Sequence, residues 1–323
     1  MSTKQGRQGY ICYVRSLPKK LLCLVLYLFI AHMMPATHFL VVSNSYYDLY
    51  SNKPASPADY DLSKALDGKI GDLQMQFGVY PDAKVPIYIV YGEDEYRSLS
   101  EDSASIVEFS EAFYNSKEGA IFARSKDQVS DNHLKIMVHE YIHWYIEELF
   151  IQAPLWFHEG MATYFSQQLG YERYLIYLKE SLIQPQSDLF RMSYRYPENR
   201  EDWPHFYLSS AMATHYMQDR FPAQWQSFWN QVAANNKAGK RSIFSQTFAQ
   251  SYQTSLWDFH TSFGSYSKRQ GYLYLFVALN TVVFAFLPFV MFAIARKRRR
   301  RMQGLPDLPL EDEADDEESA DRP

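Results

Sequence analysis

The run His139-Glu140-Tyr141-Ile142-His143 has the spacing H-E-x-x-H, two imidazoles four residues apart with a carboxylate between them. On a helix such histidines are separated by roughly 40° of azimuth and one turn of rise, so both rings can converge on one ion and Glu140 stands beside it. The plainer reading is an amphipathic core helix whose histidines hydrogen-bond locally. The segment Pro154-Leu155-Trp156-Phe157-His158-Glu159-Gly160-Met161-Ala162 argues against that reading. It reads as the start of a second helix with proline in its first turn, and it puts Glu159 sixteen residues after His143. A helix from Asp131 or Asn132 to Phe150, a break at 152–154 and a returning helix would bring Glu159 beside His139 and His143. Two nitrogen ligands and one oxygen ligand, with a fourth position open to water, is what a catalytic Zn2+ requires. A structural zinc would close that position, usually with cysteine, and the only cysteines are Cys12 and Cys23, far upstream. Gly160 and Ala162 are small enough to let the second helix approach the first closely, or to serve ordinary helix packing.

His139, Glu140 and His143, followed by Trp156-Phe157-His158-Glu159-Gly160-Met161-Ala162, resemble the gluzincin metallopeptidases, particularly the peptidase MA-like group with its W-x-x-E-G-x-A motif. The resemblance spans about Asp59 to Phe263. It implies His139, His143 and Glu159 as zinc ligands and Glu140 as general base, taking a proton from the attacking water and passing it to the leaving amine. It also implies a zincin-like domain in which the strand Gly119–Arg124 forms the edge on which an extended peptide lies, with an ordinary edge strand as the alternative. The tetrahedral oxyanion needs a further donor. Tyr207 and His205, in Trp203-Pro204-His205-Phe206-Tyr207-Leu208, are the candidates, Tyr207 first, and a core tyrosine is the alternative. His158 is either an orienting neighbour of the metal or a surface histidine. Thr163 stands where some gluzincins carry an acidic residue, which leaves the orienter of the histidines unassigned. Asp131 lies too far along the helix for that task, and His133, His215 and His260 receive no role.

Around these residues, apolar periodicity predicts a helix over about Asp61–Phe77, and the β-branched and aromatic run Val85–Tyr91 a buried strand. After Asp131 the signals are helical to Phe263, broken at 152–154, 184–187, 196–204 and 234–240. A small sheet followed by helices is an α+β arrangement. The domain is expected over 59–268, after a polar linker at 43–58.

Two uncharged apolar runs flank it, Leu21–Val42 and Tyr272–Ala295. Each is long enough to cross a bilayer core of about 30 Å. The first is expected to be an uncleaved anchor, with a cleaved signal peptide as its rival. Basic residues in 1–20 and the run Arg296–Arg301 put both termini in the cytoplasm and the domain outside, at the cell membrane. The tail, 296–323, is basic and then acidic, and its acidic end reads as solvated and disordered.

With 47% apolar and 21% charged residues and a net charge of −5, the chain is no disordered polymer, and it shows no basic domain for nucleic acid. The expected function is a membrane-anchored zinc metallopeptidase acting on a peptide or protein substrate. The alternative is a non-catalytic zinc-binding pseudoprotease, an interaction module at the membrane, to which an intact Glu140 would be superfluous. Cleavage within the bilayer is excluded by Lys135, Glu140, Glu147 and Glu148 on the motif's own helix.

Overall fold

A computed structural model describes residues 38–101, 110–168, 170–183 and 189–302. The first 37 residues, the tail beyond 302 and the break at 184–187 lie outside the described residues. The chain is mixed α+β and divides into two compact units, residues 38–151 with 229–242, and residues 152–228 with 243–302.

The first unit is built on a five-stranded sheet: β1 (Phe39–Ser43), β2 (Tyr47–Ser51), β3 (Val85–Val90), β4 (Ala112–Asn115) and β5 (Ala120–Arg124). Its spatial order is β1-β2-β3-β5-β4. β2, β3 and β5 run parallel, and β1 and β4 are antiparallel edges. Three sequence expectations change here. The apolar run read as a membrane span to Val42 ends in strand, because Phe39–Val42 belong to β1 and Val42 pairs with Leu49. The 43–58 linker is likewise structured, since it contains β2 and the start of α1 (Pro57–Phe77), so the folded domain begins about twenty residues before Asp59. Finally, β5 is interior rather than an edge. Four of its five residues are buried, and the edge on that side is β4.

α1 starts early because Ser56 and Asp59 form a reciprocal capping box, with proline in the first turn. It ends at Gly78, whose φ of 66° is the left-handed conformation that terminates a helix at low cost in glycine. A short helix, α2 (Glu93–Glu101), brings Tyr96 onto Val90, Phe113 and Phe122 of the sheet. The motif helix, α3 (His133–Leu149), packs on α1 and on β4.

The second unit contains α4 (Leu155–Phe165), α5 (Tyr171–Ile183), α6 (Trp203–Arg220), α8 (Phe244–Tyr252) and α9 (Leu256–Met302). Between α6 and α8 runs α7 (Pro222–Lys237), whose residues from Trp229 onward are counted with the first unit. α4 and α6 make the most extensive helix pair. Their closeness depends on Gly160, where an added Cβ would lie 2.8 Å from the Ser210 carbonyl carbon and still nearer its oxygen and Thr214 Oγ1. Gly160 thus serves helix packing on α6, one of the two readings the sequence left open, and on that helix Ser209, Ser210, Ala211, Ala213 and Thr214 are fully buried.

α9 is one helix of 47 residues. Its first turns belong to the second unit: Phe259 and Phe263 are buried, and Ser267 Oγ lies 2.6 Å from Tyr177 Oη. From Tyr272 to Ile294 its large apolar side chains are exposed, Phe276 at 65% and Phe292 at 69%. It is long and apolar enough to cross a membrane. The polar residues of that stretch satisfy themselves on their own helix, Asn280 Nδ2 donating to Phe276 O at 2.7 Å and Thr281 Oγ1 to Val277 O at 2.9 Å.

Candidate metal centre

α3 is fixed at both ends and along one face. At its start His133 is fully buried, with Nδ1 3.4 Å from Glu111 Oε2, while Glu111 Oε1 accepts the Ser130 backbone N–H at 3.0 Å. Burial pushes the His133 imidazole below its usual range although Glu111 pulls the other way. For Glu111, burial acts upwards, but the Ser130 hydrogen bonds and His133 outweigh it and the carboxyl ends below its usual range. At the other end the Arg241 guanidinium donates to the carbonyls of Glu147 and Phe150, groups that a helix C-terminus otherwise leaves unbonded. Along the buried face, Tyr141 Oη accepts from Gln74 Nε2 at 2.8 Å and Tyr145 Oη donates to Val79 O at 2.9 Å.

At about 100° per residue, Tyr141 is roughly 200° around the helix from His139. Pinning Tyr141 to α1 and Tyr145 to Val79 just beyond its end therefore turns the two histidines away from that helix. Their rings stand edge to face, with centroids 4.8 Å apart. Glu140, one position round, has its carboxylate held from the sheet side: the backbone N–H of Tyr114 on β4 donates to Oε2 at 2.8 Å. Tyr114 was invisible to sequence reasoning because its contribution is a backbone group on a four-residue strand that the sequence did not reveal.

Glu159 lies on the second turn of α4, with only 1% of its surface exposed. The helix is entered from Pro154 in extended conformation, so the proline precedes the first turn rather than occupying it. Trp156 anchors that turn by stacking on Phe259, with ring centroids 6.0 Å apart and planes 19° apart. The hydroxyl of Tyr196 donates to Glu159 Oε1. Tyr196 is a second residue that sequence reasoning missed, since it sits in the proline- and asparagine-containing break at 196–204 and belongs to no motif.

One candidate ligand atom from each of His139, His143 and Glu159 lies within 4.8 Å of the other two. The three side chains that the sequence singled out as ligands thus form a His-His-Glu group that could hold a metal ion. Its donor chemistry, two imidazole nitrogens and a carboxylate oxygen without thiolate, suits zinc and other divalent ions that accept mixed nitrogen and oxygen ligands.

His205 and Tyr207 lie on the first two turns of α6, and His205 is not part of that group. Its ring is held on both sides, Nδ1 2.9 Å from Glu180 Oε2 on α5 and Nε2 3.4 Å from Ser209 Oγ. Tyr207 is half-buried and meets Phe206 edge to face. His158 is not a plain surface histidine. It is only partly exposed, and burial pushes it down to about 4 against the opposing pull of Glu159. Thr163, one turn beyond Glu159, is 2% exposed. His215 and His260 serve local bonds, to Tyr164 Oη at 3.2 Å and from the Leu189 backbone N–H at 3.2 Å. Neither a protein-family model nor a curated relative matches this chain.

Proposed function

We propose that the chain is a membrane-anchored zinc metallopeptidase of gluzincin type, anchored by α9 and by the apolar run that begins at Leu21, with its catalytic domain outside the cytoplasm and both termini inside. The observation that carries the reading is the gathering of His139, His143 and Glu159, with Glu140 beside the two histidines on the same helix. His139 and His143 would hold the ion through ring nitrogens and Glu159 through its carboxylate, oriented by the Tyr196 hydroxyl. When bound, zinc supplies Lewis acidity, which lowers the pKa of water towards about 7 and polarises a carbonyl.

The remaining steps belong to the chain. Glu140, its Oε2 fixed by the Tyr114 amide, accepts the proton of the attacking water and delivers it to the departing amine nitrogen. Tyr207 donates to the oxyanion, with His205, steadied by Glu180, as the alternative donor. The strand that presents an extended peptide in this reading is β4, the sheet edge that also touches Glu140.

Glu140→Gln tests the proposal against a non-catalytic zinc-binding module. The amide keeps the size of the side chain but cannot take the water proton. The variant should bind metal and peptide as the wild type does while losing at least about a hundredfold in turnover. Cleavage of a diverse peptide pool that is undiminished in the variant removes Glu140 from the mechanism. Zinc-loaded wild type that binds peptides without cleaving any supports the binding module.

A further inference from the structure

A cavity of about 490 Å3 opens on the second unit along the first part of α9. It is lined by Tyr216 and Arg220 of α6 and by Thr261, Ser265, Tyr266 and Arg269 of α9. The two arginines are exposed, and neither makes an ion pair among the described residues. Arg220 lies over the Tyr266 ring, 5.9 Å from its centroid. Both guanidinium charges act on the Tyr216 and Tyr266 hydroxyls, in each case against the larger upward push of burial. The Asp219 carboxylate also acts on Tyr266, so the groove is not uniformly positive, but two guanidiniums outnumber it. Two planar cations form a donor set for a phosphate oxyanion, while the Thr261 and Ser265 hydroxyls beside them donate to Trp257 O and Thr261 O of their own helix.

The position along α9 says where that phosphate comes from. The exposed apolar stretch starts at Tyr272. At 1.5 Å per residue, Arg269 stands about 4.5 Å above that point, Tyr266 about 9 Å and Thr261 about 16 Å. The polar layer on each side of a bilayer core is about 5–8 Å thick. Arg269 therefore falls within the headgroup layer of any membrane that α9 crosses, and Tyr266, whose ring Arg220 overlies, stands just above that layer. Continuity of the groove with the span, together with charge complementarity, selects a lipid over a soluble ligand.

We infer that the groove between the end of α6 and the start of α9 binds the phosphate of an anionic phospholipid headgroup, clamped by Arg220 and Arg269. The clamp fixes the height of the second unit above the bilayer, and it rests on the reading of α9 as a membrane span. The span and the groove are separable by experiment. Flotation of the full chain with vesicles of phosphatidylcholine alone reads the span, and wild type and Arg220→Gln/Arg269→Gln should float equally.

The groove is read by thermal unfolding of the full chain in mild detergent, titrated with short-chain phosphatidylglycerol, short-chain phosphatidylcholine or inorganic phosphate. Phosphatidylglycerol near a hundredfold excess over its Kd should raise the wild-type Tm by about 5–10 °C, and phosphatidylcholine should leave it within about 1 °C. The double variant should lose the shift while keeping its lipid-free Tm. Arg269→Lys, which retains charge without the planar fork, should keep part of the shift.

The inference is overturned by equal shifts with the two lipids, or by a shift that survives in the double variant. Inorganic phosphate matching phosphatidylglycerol at the same concentration would also overturn it, because the site would then be one for free phosphate. Failure of the wild type to float on neutral vesicles removes the span itself, and the lipid clamp with it.

Discussion

Gly160→Ala places one methyl group between α4 and α6, and its cost can be worked from the contact. The new carbon would stand 2.8 Å from the Ser210 carbonyl carbon, where non-bonded carbons rest at about 3.5–4.0 Å. Rotamers cannot relieve it, because the nearest obstacle is backbone. The helices must part by roughly 1 Å, which puts the penalty at the upper end of the overpacking range, about 3 kcal/mol. For a domain of this size that corresponds to a fall in Tm of about 6–12 °C. Glu159 is the preceding residue, and a metal ligand tolerates displacement of only about 0.2 Å before coordination suffers. Zinc affinity should therefore drop by about ten- to a hundredfold even where the fold survives. Thermal unfolding followed by circular dichroism, with zinc titration of the apoprotein, measures both effects. Adding Thr214→Ala removes the Oγ1 obstruction but leaves the Ser210 carbonyl, so the double variant should recover less than half of the lost Tm. A Gly160→Ala protein that melts within about 1 °C of wild type and binds zinc normally would refute the close α4–α6 contact and the dependence of Glu159's position on it.

The other expectations concern the same helices. His143→Ala should remove about one equivalent of zinc per chain in elemental analysis, and equal metal in both proteins would refute the ligand assignment. Tyr207→Phe should lower kcat by about ten- to a thousandfold with little change in KM, whereas loss confined to His205→Ala would move the oxyanion donor to that residue. For stability, burial holds His133 below the ordinary imidazole range, so the unfolded chain binds more protons as pH falls below about 6.5. Stability is lost from that point downwards, and Glu111, held below the carboxylate range, adds a further loss at lower pH. In metal-free protein, wild type should lose more Tm than His133→Gln between pH 7 and pH 5, and parallel curves would show that His133 does not titrate with folding.

What the sequence discloses about this fold is what is encoded locally. Apolar periodicity over Asp61–Phe77, an i, i+4 histidine pair and the proline at 154 are short-range signals, and α1, α3 and α4 appear close to where those signals put them, α1 starting four residues early because periodicity does not register its capping box at Ser56. Hydropathy alone could not separate the last residues of the first apolar run from strand, because Phe39–Val42 are as apolar as a span and reveal themselves only by pairing with β2. β5 read correctly as a strand, yet its interior place depends on β4, four residues whose pairing partner lies across a turn held by Gly119 at φ 62°. Missing β4 had a consequence at the site. The group that holds Glu140 is a backbone amide of that strand, and a backbone donor carries no residue-type signature. Tyr196 escaped for the complementary reason, since its side chain has a definite chemistry but its position follows from the path of an irregular segment. The two histidines of the candidate metal group were legible because helical periodicity fixes their separation, and Glu159 because it stands in a helix whose start the sequence marks with proline. The residues that hold Glu140 and Glu159 were not, because strand pairing places Tyr114 and loop path places Tyr196.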